Sequence, residues 1–124
     1  MTDLSKLKKS LQNLEHALKI FEKEKKNPLH SAAVSKLFEV CFEYTWKTLK
    51  SHIQRSGLEA YSPRDVIKAA GQTHIIENVE KWLEFLEDRN LSVHDYIGID
   101  DKDYLKSIQD FSVDLKVVLK RLEK

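Results

Sequence analysis

Leu4-Ser5-Lys6-Leu7-Lys8-Lys9-Ser10-Leu11-Gln12-Asn13-Leu14-Glu15-His16-Ala17-Leu18-Lys19-Ile20-Phe21 sets the fold class. Leu4, Leu7, Leu11, Leu14, Leu18 and Phe21 recur at alternating steps of three and four, and Ala17 and Ile20 widen the stripe. That rhythm returns to one side of a 3.6-residue helix, so it predicts a long amphipathic helix offering one face to a partner helix. Thr2 or Asp3 stands where a side-chain oxygen can cap it. Lys6, Lys8, Lys9, Lys19 and Lys23 fall between the apolar positions, interspersed with Glu15, Glu22 and Glu24. A mixed-sign run of that kind reads as a solvated face rather than a nucleic-acid groove.

Working outward, Asn27-Pro28 ends the first helix, because the residue before proline disfavours the helical conformation. A second long helix is expected over about residues 29–56, with Gly57 as its left-handed cap. Its inward side chains are predicted to be Ala33, Leu37, Val40, Cys41, Tyr44, Thr48, Leu49 and Ile53. Tyr44 and Trp46 point in different directions on a helix and cannot share a neighbour. One of them is a candidate for a subunit interface, or Trp46 is simply half-exposed beside the core. Ser62-Pro63-Arg64-Asp65 reads as a helix start, with Ser62 as cap and Pro63 in the first turn. It opens a short helix over roughly 63–70, which Gly71 either ends or kinks. The next helix carries Ile75, Ile76, Val79, Trp82, Leu83 and Leu86 and is expected to stop near Asp88-Arg89-Asn90. Ser92-Val93-His94-Asp95 repeats the start signature. Asp100 or Asp101 would then cap a last helix bearing Tyr104, Leu105, Ile108, Phe111, Leu115, Val118, Leu119 and Leu122. No stretch alternates cleanly between turn residues, so no strand is predicted. Four substantial apolar stripes make an all-α, antiparallel four-helix up-and-down bundle with an extra short helix, as one domain over 1–124.

Composition agrees and narrows the function classes. The chain has 124 residues, 41% hydrophobic and 33% charged, enough for one buried core and too apolar for disorder. A net charge of +1 supplies no global field to draw in nucleic acid or membrane. Cys41 is the only cysteine, so no intrachain disulfide forms, and its place in an apolar stripe makes it a small core residue. The five histidines lack paired spacing, so no metal is expected, nor any cofactor. No hydrophobic run reaches membrane-spanning length and no signal region opens the chain, which points to the cytoplasm.

The stretch that carries chemistry is Asp88-Arg89-Asn90-Leu91-Ser92-Val93-His94-Asp95-Tyr96, an R-x4-H-x-Y pattern. Arg89 can hold a phosphate with its planar fork of donors. His94 can take and give a proton near neutral pH. Were Ser92 a cap, His94 would stand at the second helical position, where free N–H groups favour a neutral imidazole. The blander reading is that Arg89 ends a helix by binding its last carbonyls and His94 merely opens the next.

Trp82 to Asn90 followed by Ser-x-His-x-Tyr resembles the signature of the HEPN superfamily. More narrowly it resembles the nucleotidyltransferase substrate-binding proteins, HEPN partners encoded beside minimal nucleotidyltransferases. Phe42-Glu43-Tyr44-Thr45-Trp46-Lys47 and Ser62-Pro63-Arg64-Asp65-Val66-Ile67-Lys68-Ala69-Ala70 look like the same group, so the similarity spans roughly residues 11–122. The resemblance implies a homodimer and metal-independent RNA cleavage. RNA brings its own 2′-OH nucleophile, so His94 would act as base, Arg89 would stabilise phosphate charge, and Asn90 would orient either group. It also implies that a minimal nucleotidyltransferase partner adenylylates Tyr96 in toxin–antitoxin pairs; the alternative for Tyr96 is a buried ring. Two functions therefore stand at this stage: a ribonuclease toxin held in check by that partner, and a non-catalytic module that binds substrate for it.

Overall fold

The computed structural model describes residues 3–24, 27–94 and 102–123, with Ser92, Val93 and His94 described in their backbone alone. Five helices follow in order: α1 (Ser5–Lys23), α2 (Pro28–Arg55), α3 (Pro63–Gln72), α4 (Val79–His94) and α5 (Lys102–Leu122). Among the described residues there is no strand. α2 packs against α1, α3 and α4, while α5 closes the bundle against α4 and α1. The short helix α3 lies against α2 and α4.

Local chemistry explains the boundaries. Asp3 accepts the Ser5 N–H at 2.9 Å, and that bond holds its carboxyl below the usual aspartate range. Asn27 accepts from Leu29 N–H at 2.9 Å, with Pro28 in the first turn of α2. Gly57 takes φ +90° just after α2, the left-handed conformation that glycine adopts without strain. Ser62 accepts the Asp65 N–H at 3.2 Å, so the S-P-R-D signature opens α3 as expected.

The core is organised around Phe111 of α5, which is fully buried. Rings of Phe38, Phe42, Trp82 and Phe85 stand 5.4–5.7 Å from it, most of them edge-on. Those are favourable ring geometries, and they tie α2 and α4 to α5. Cys41 is buried, and burial pushes its thiol up to about 11, so it is an inert core residue.

Three expectations are corrected. The buried stripe of α2 is Val34, Ser35, Phe38, Cys41, Phe42, Thr45, Leu49 and Ile53. Ala33 and Tyr44 are exposed, and Leu37, Val40 and Thr48 are only half-buried. The helix carries two apolar stripes, and the one with the large aromatics won the core. Second, Ile75 and Ile76 are buried in the connection before α4, not within it. Asn78 makes the start by accepting the Lys81 N–H at 3.0 Å. Gly71 does not end α3: it lies one residue inside it, where a Cβ would stand 2.2 Å from a Val79 methyl carbon. Third, α4 runs without a break from Val79 through His94, so no new helix starts at Ser92. The expected caps at Asp100 or Asp101 lie outside the described residues.

Candidate functional site

On α4 the apolar spacing Trp82, Phe85, Leu86 places position 89 next on the same face, three residues after Leu86. Arg89 therefore lays its stem along the core edge and ends half-buried, as long cationic side chains do. Its guanidinium lies 5.6 Å from the centre of the Phe42 ring, and its Nη1 donates to Glu43 Oε2 at 3.2 Å. Trp46 Nε1 donates to that same oxygen at 3.1 Å, and Lys47 Nζ stands 3.3 Å from the other. Burial opposes ionisation of Glu43, yet the bonds from Trp46 and Lys47 and the charges of Arg89 and Lys47 outweigh it. The carboxyl is held below the ordinary glutamate range. Arg89 Nε is buried with no hydrogen-bond partner among the described residues.

These contacts explain why Asp88-Arg89-Asn90 does not break the helix. Arg89 anchors the turn to α2, and Asp88 accepts a bond from Ser107 of α5. Tertiary anchoring on both sides overrides a local stop signal. Asn90 is exposed. His94 sits in the last turn of α4 and not in a first turn, so the helix-start argument for a neutral imidazole no longer applies. In one continuous helix positions 89 and 94 lie about 140° apart around the axis, so they do not share a face. Tyr96 lies outside the described residues. The group that gathers around Arg89 is Glu43, Phe42 and Trp46. The Phe42–Lys47 run gives Glu43 no role when read as sequence, and only the tertiary pairing reveals it.

Two clefts lie elsewhere along α4 and α5. One of about 280 Å³ is lined by Glu84, Glu87, Asp88, Leu91, Asp103, Tyr104 and Ser107, next to the last turns of α4. It is rich in carboxylates. The other, about 210 Å³, lies between the α3–α4 connection and α5. There Arg121 donates to the Ile75 carbonyl at 3.0 Å and pairs with Glu77, while Lys81 stands 3.6 Å from Asp110 and 4.0 Å from Asp114. Among the described residues no group of three or more histidine, cysteine or acidic side chains could hold a metal. No described helix is long and apolar enough to cross a membrane.

The family described as nucleotidyltransferase substrate binding protein like matches residues 2–124 of this chain. A crystal structure of a Thermus thermophilus protein is similar at 27% identity and a TM-score of 0.79, covering 95% of this chain and 99% of that one. A Haemophilus influenzae protein, HI0074, is similar at 20% identity and a TM-score of 0.80, covering 98% of this chain and 100% of the other. Its structure is described as revealing the fold of a substrate binding domain of a nucleotidyltransferase. No curated protein sequence matches significantly.

Proposed function

From the premise that this chain belongs to the nucleotidyltransferase substrate binding protein-like family, we propose that it serves as the non-catalytic substrate-binding partner of a nucleotidyltransferase. The observation that carries this reading is the family match from residue 2 to residue 124. Two features of the site support it. Arg89 is engaged by Glu43 and stacked over Phe42, so a phosphate would have to compete with an ion pair already in place. The cleft beside the C-terminal half of α4 presents Glu84, Glu87, Asp88 and Asp103, a field that disfavours a polyanion such as RNA. The test is to purify the chain together with a nucleotidyltransferase from the same genome and measure nucleotidyl transfer. A stable complex in which transfer depends on this chain is expected. Failure to associate at micromolar concentration sinks the reading.

A second reading retains Arg89, Asn90 and His94 as a metal-independent ribonuclease site in a homodimer, with Tyr96 as the hydroxyl that a minimal nucleotidyltransferase adenylylates. What favours it is the buried Nε of Arg89, a donor left over after the Glu43 pairing. In this reading the partner subunit supplies the second His94 as the acid for the leaving 5′ oxygen. Purified chain should then cut RNA without metal, and His94→Ala and Arg89→Ala should each abolish cutting. Cleavage that survives both changes removes these residues from the chemistry. After incubation with the nucleotidyltransferase and ATP, a gain of one AMP on the Tyr96 peptide would support the switch, and a gain elsewhere would not.

A further inference from the structure

α2 carries a second apolar stripe that the bundle leaves open. Ala33, Leu37, Val40 and Tyr44 recur at steps of four, three and four, a spacing suited to helix packing. The fold sets Ala33 and Leu37 beside Ala17 and Ile20 of α1, and Val40 and Tyr44 beside Lys6 and Lys9. Together they floor a groove made of two adjoining hollows of about 280 and 340 Å³, which share Asn13 and Leu37. From Lys6 to Ile20 the α1 wall is roughly 21 Å long, enough for about four turns of another helix. Tyr44 is 41% exposed at one end, so a large ring stands ready for a contact that the monomer does not make.

The charge along the groove says what would fill it. Lys6 and Lys9 line the Tyr44 end, His16 and His30 line the other, and among the described residues no carboxylate lines either hollow. At the rims, the Glu24 carboxylate stands 3.3 Å from His30 Nδ1, and Asp3 lies close enough to Lys6 to feel its charge. A second copy of this chain turned onto the groove would bring its own Lys6 and Lys9, adding positive charge and no lining carboxylate. An occupant with an apolar stripe and acidic flanks meets both demands.

We infer that this groove between α1 and α2 is the docking surface for an acidic amphipathic helix of the nucleotidyltransferase. The inference rests on the partner role proposed above. Leu37 and Val40 seat the helix's apolar stripe, as in other helix-in-groove contacts, and Lys6 and Lys9 fix its direction by pairing with carboxylates at one end. Arg89 and Glu43 do not line this groove, so the docking surface is separate from the Arg89 cluster.

The experiment measures binding of that nucleotidyltransferase to the full chain by calorimetry, with the chain's own oligomeric state followed by sedimentation. Leu37→Glu is expected to weaken binding about tenfold or more, as loss of a central apolar anchor does. The Lys6→Glu, Lys9→Glu double variant should weaken it several-fold and flatten its dependence on salt. Circular dichroism on each variant checks that the bundle is intact, and Lys68→Glu, at an exposed position of α3, serves as a control that leaves affinity unchanged. If the wild-type chain binds the nucleotidyltransferase and both groove variants bind equally well, the docking inference is overturned while the partner role stands. If the wild-type chain does not bind at all, the partner role itself fails. If Leu37→Glu instead dissociates a dimer of this chain and leaves the nucleotidyltransferase contact untouched, the occupant is a second copy and the inference is wrong.

Discussion

The two apolar stripes of α2 have nearly the same spacing and opposite fates. One, through Val34, Phe38, Cys41, Phe42, Leu49 and Ile53, is buried within the bundle, its rings against Tyr104 and Phe111 of α5. The other, through Ala33, Leu37, Val40 and Tyr44, looks outward over α1. Hydrophobic periodicity alone ranks them almost equally. What separates them is size and geometry. Phe38 stands edge-on to Phe111 and Phe42 tilted against both, whereas the outer stripe offers a methyl, two branched chains and an exposed phenol. A long helix at the centre of a small bundle can thus serve the core with one face and a partner with the other.

Replacing one member of the inner stripe should produce the largest effect. Phe38 is fully buried, with its ring 5.4 Å from Phe111 and 6.1 Å from both Phe42 and Tyr104. Phe38→Ala removes these contacts and leaves a cavity in a rigid aromatic cluster, a loss of about 3–5 kcal/mol. Urea denaturation measures it. A loss below about 1 kcal/mol would mean that the inner stripe is no better packed than the outer.

A chemical probe sharpens the contrast without removing any side chain. Cys41 lies on the inner stripe, and its thiol is pushed up to about 11 by burial, two pH units above its ordinary value of 9.0. At pH 8 the population of reactive thiolate falls about a hundredfold from that shift alone, before steric exclusion is counted. Val40→Cys in a Cys41→Ser background places a thiol one residue away on the open stripe. Alkylation of Val40→Cys should therefore outpace that of native Cys41 by about a hundredfold or more. Comparable rates in the folded protein would erase the distinction between the faces.

The same contrast marks how far the sequence can be read. The four long helices, the break at Asn27-Pro28, the cap at Ser62 and the turn at Gly57 are all legible, because each depends on neighbours within a few residues. The choice between the stripes of α2 is not, since it depends on Phe111, some seventy residues further along the chain. The continuous run of α4 through Arg89 is hidden for the same reason. Asp88-Arg89-Asn90 looks like a stop until Glu43 and Ser107 are seen to hold it from two sides. In the candidate site, Arg89 is found from its motif, but its partner Glu43 lies 46 positions away and carries no local signal beyond its run with Trp46 and Lys47. Gly71 shows the reverse case: its lack of a side chain reads as a breaker, while its use is to let Val79 approach.

On the outer stripe, truncation should cost little. Leu37 is only half-buried, so Leu37→Ala is expected to change stability by about 1 kcal/mol or less in the isolated chain. Paired with the Phe38 variant, it makes adjacent positions on one helix differ severalfold in their effect. A loss as large as that at Phe38 would place Leu37 in the core and close the groove.

The smallest effect lies at the boundary between the stripes, where Glu43 meets Arg89. Because its carboxyl is held below the ordinary glutamate range in the fold, the unfolded chain binds that proton more readily. Its contribution is therefore fully present above the ordinary value of about 4.3 and is lost as the pH falls through the lower folded value. The side chain is 38% exposed, so solvent screens the pairing and the contribution stays under about 1 kcal/mol. Glu43→Gln keeps an acceptor for Trp46 and Arg89 but removes the charge. Its stability deficit against wild type should shrink steadily below pH 4, as protonation of the wild-type carboxyl removes the same charge. A deficit that stays constant from pH 7 to pH 3 would show that the Arg89 guanidinium is held by packing over Phe42 rather than by the carboxylate, leaving its charge available for a phosphate.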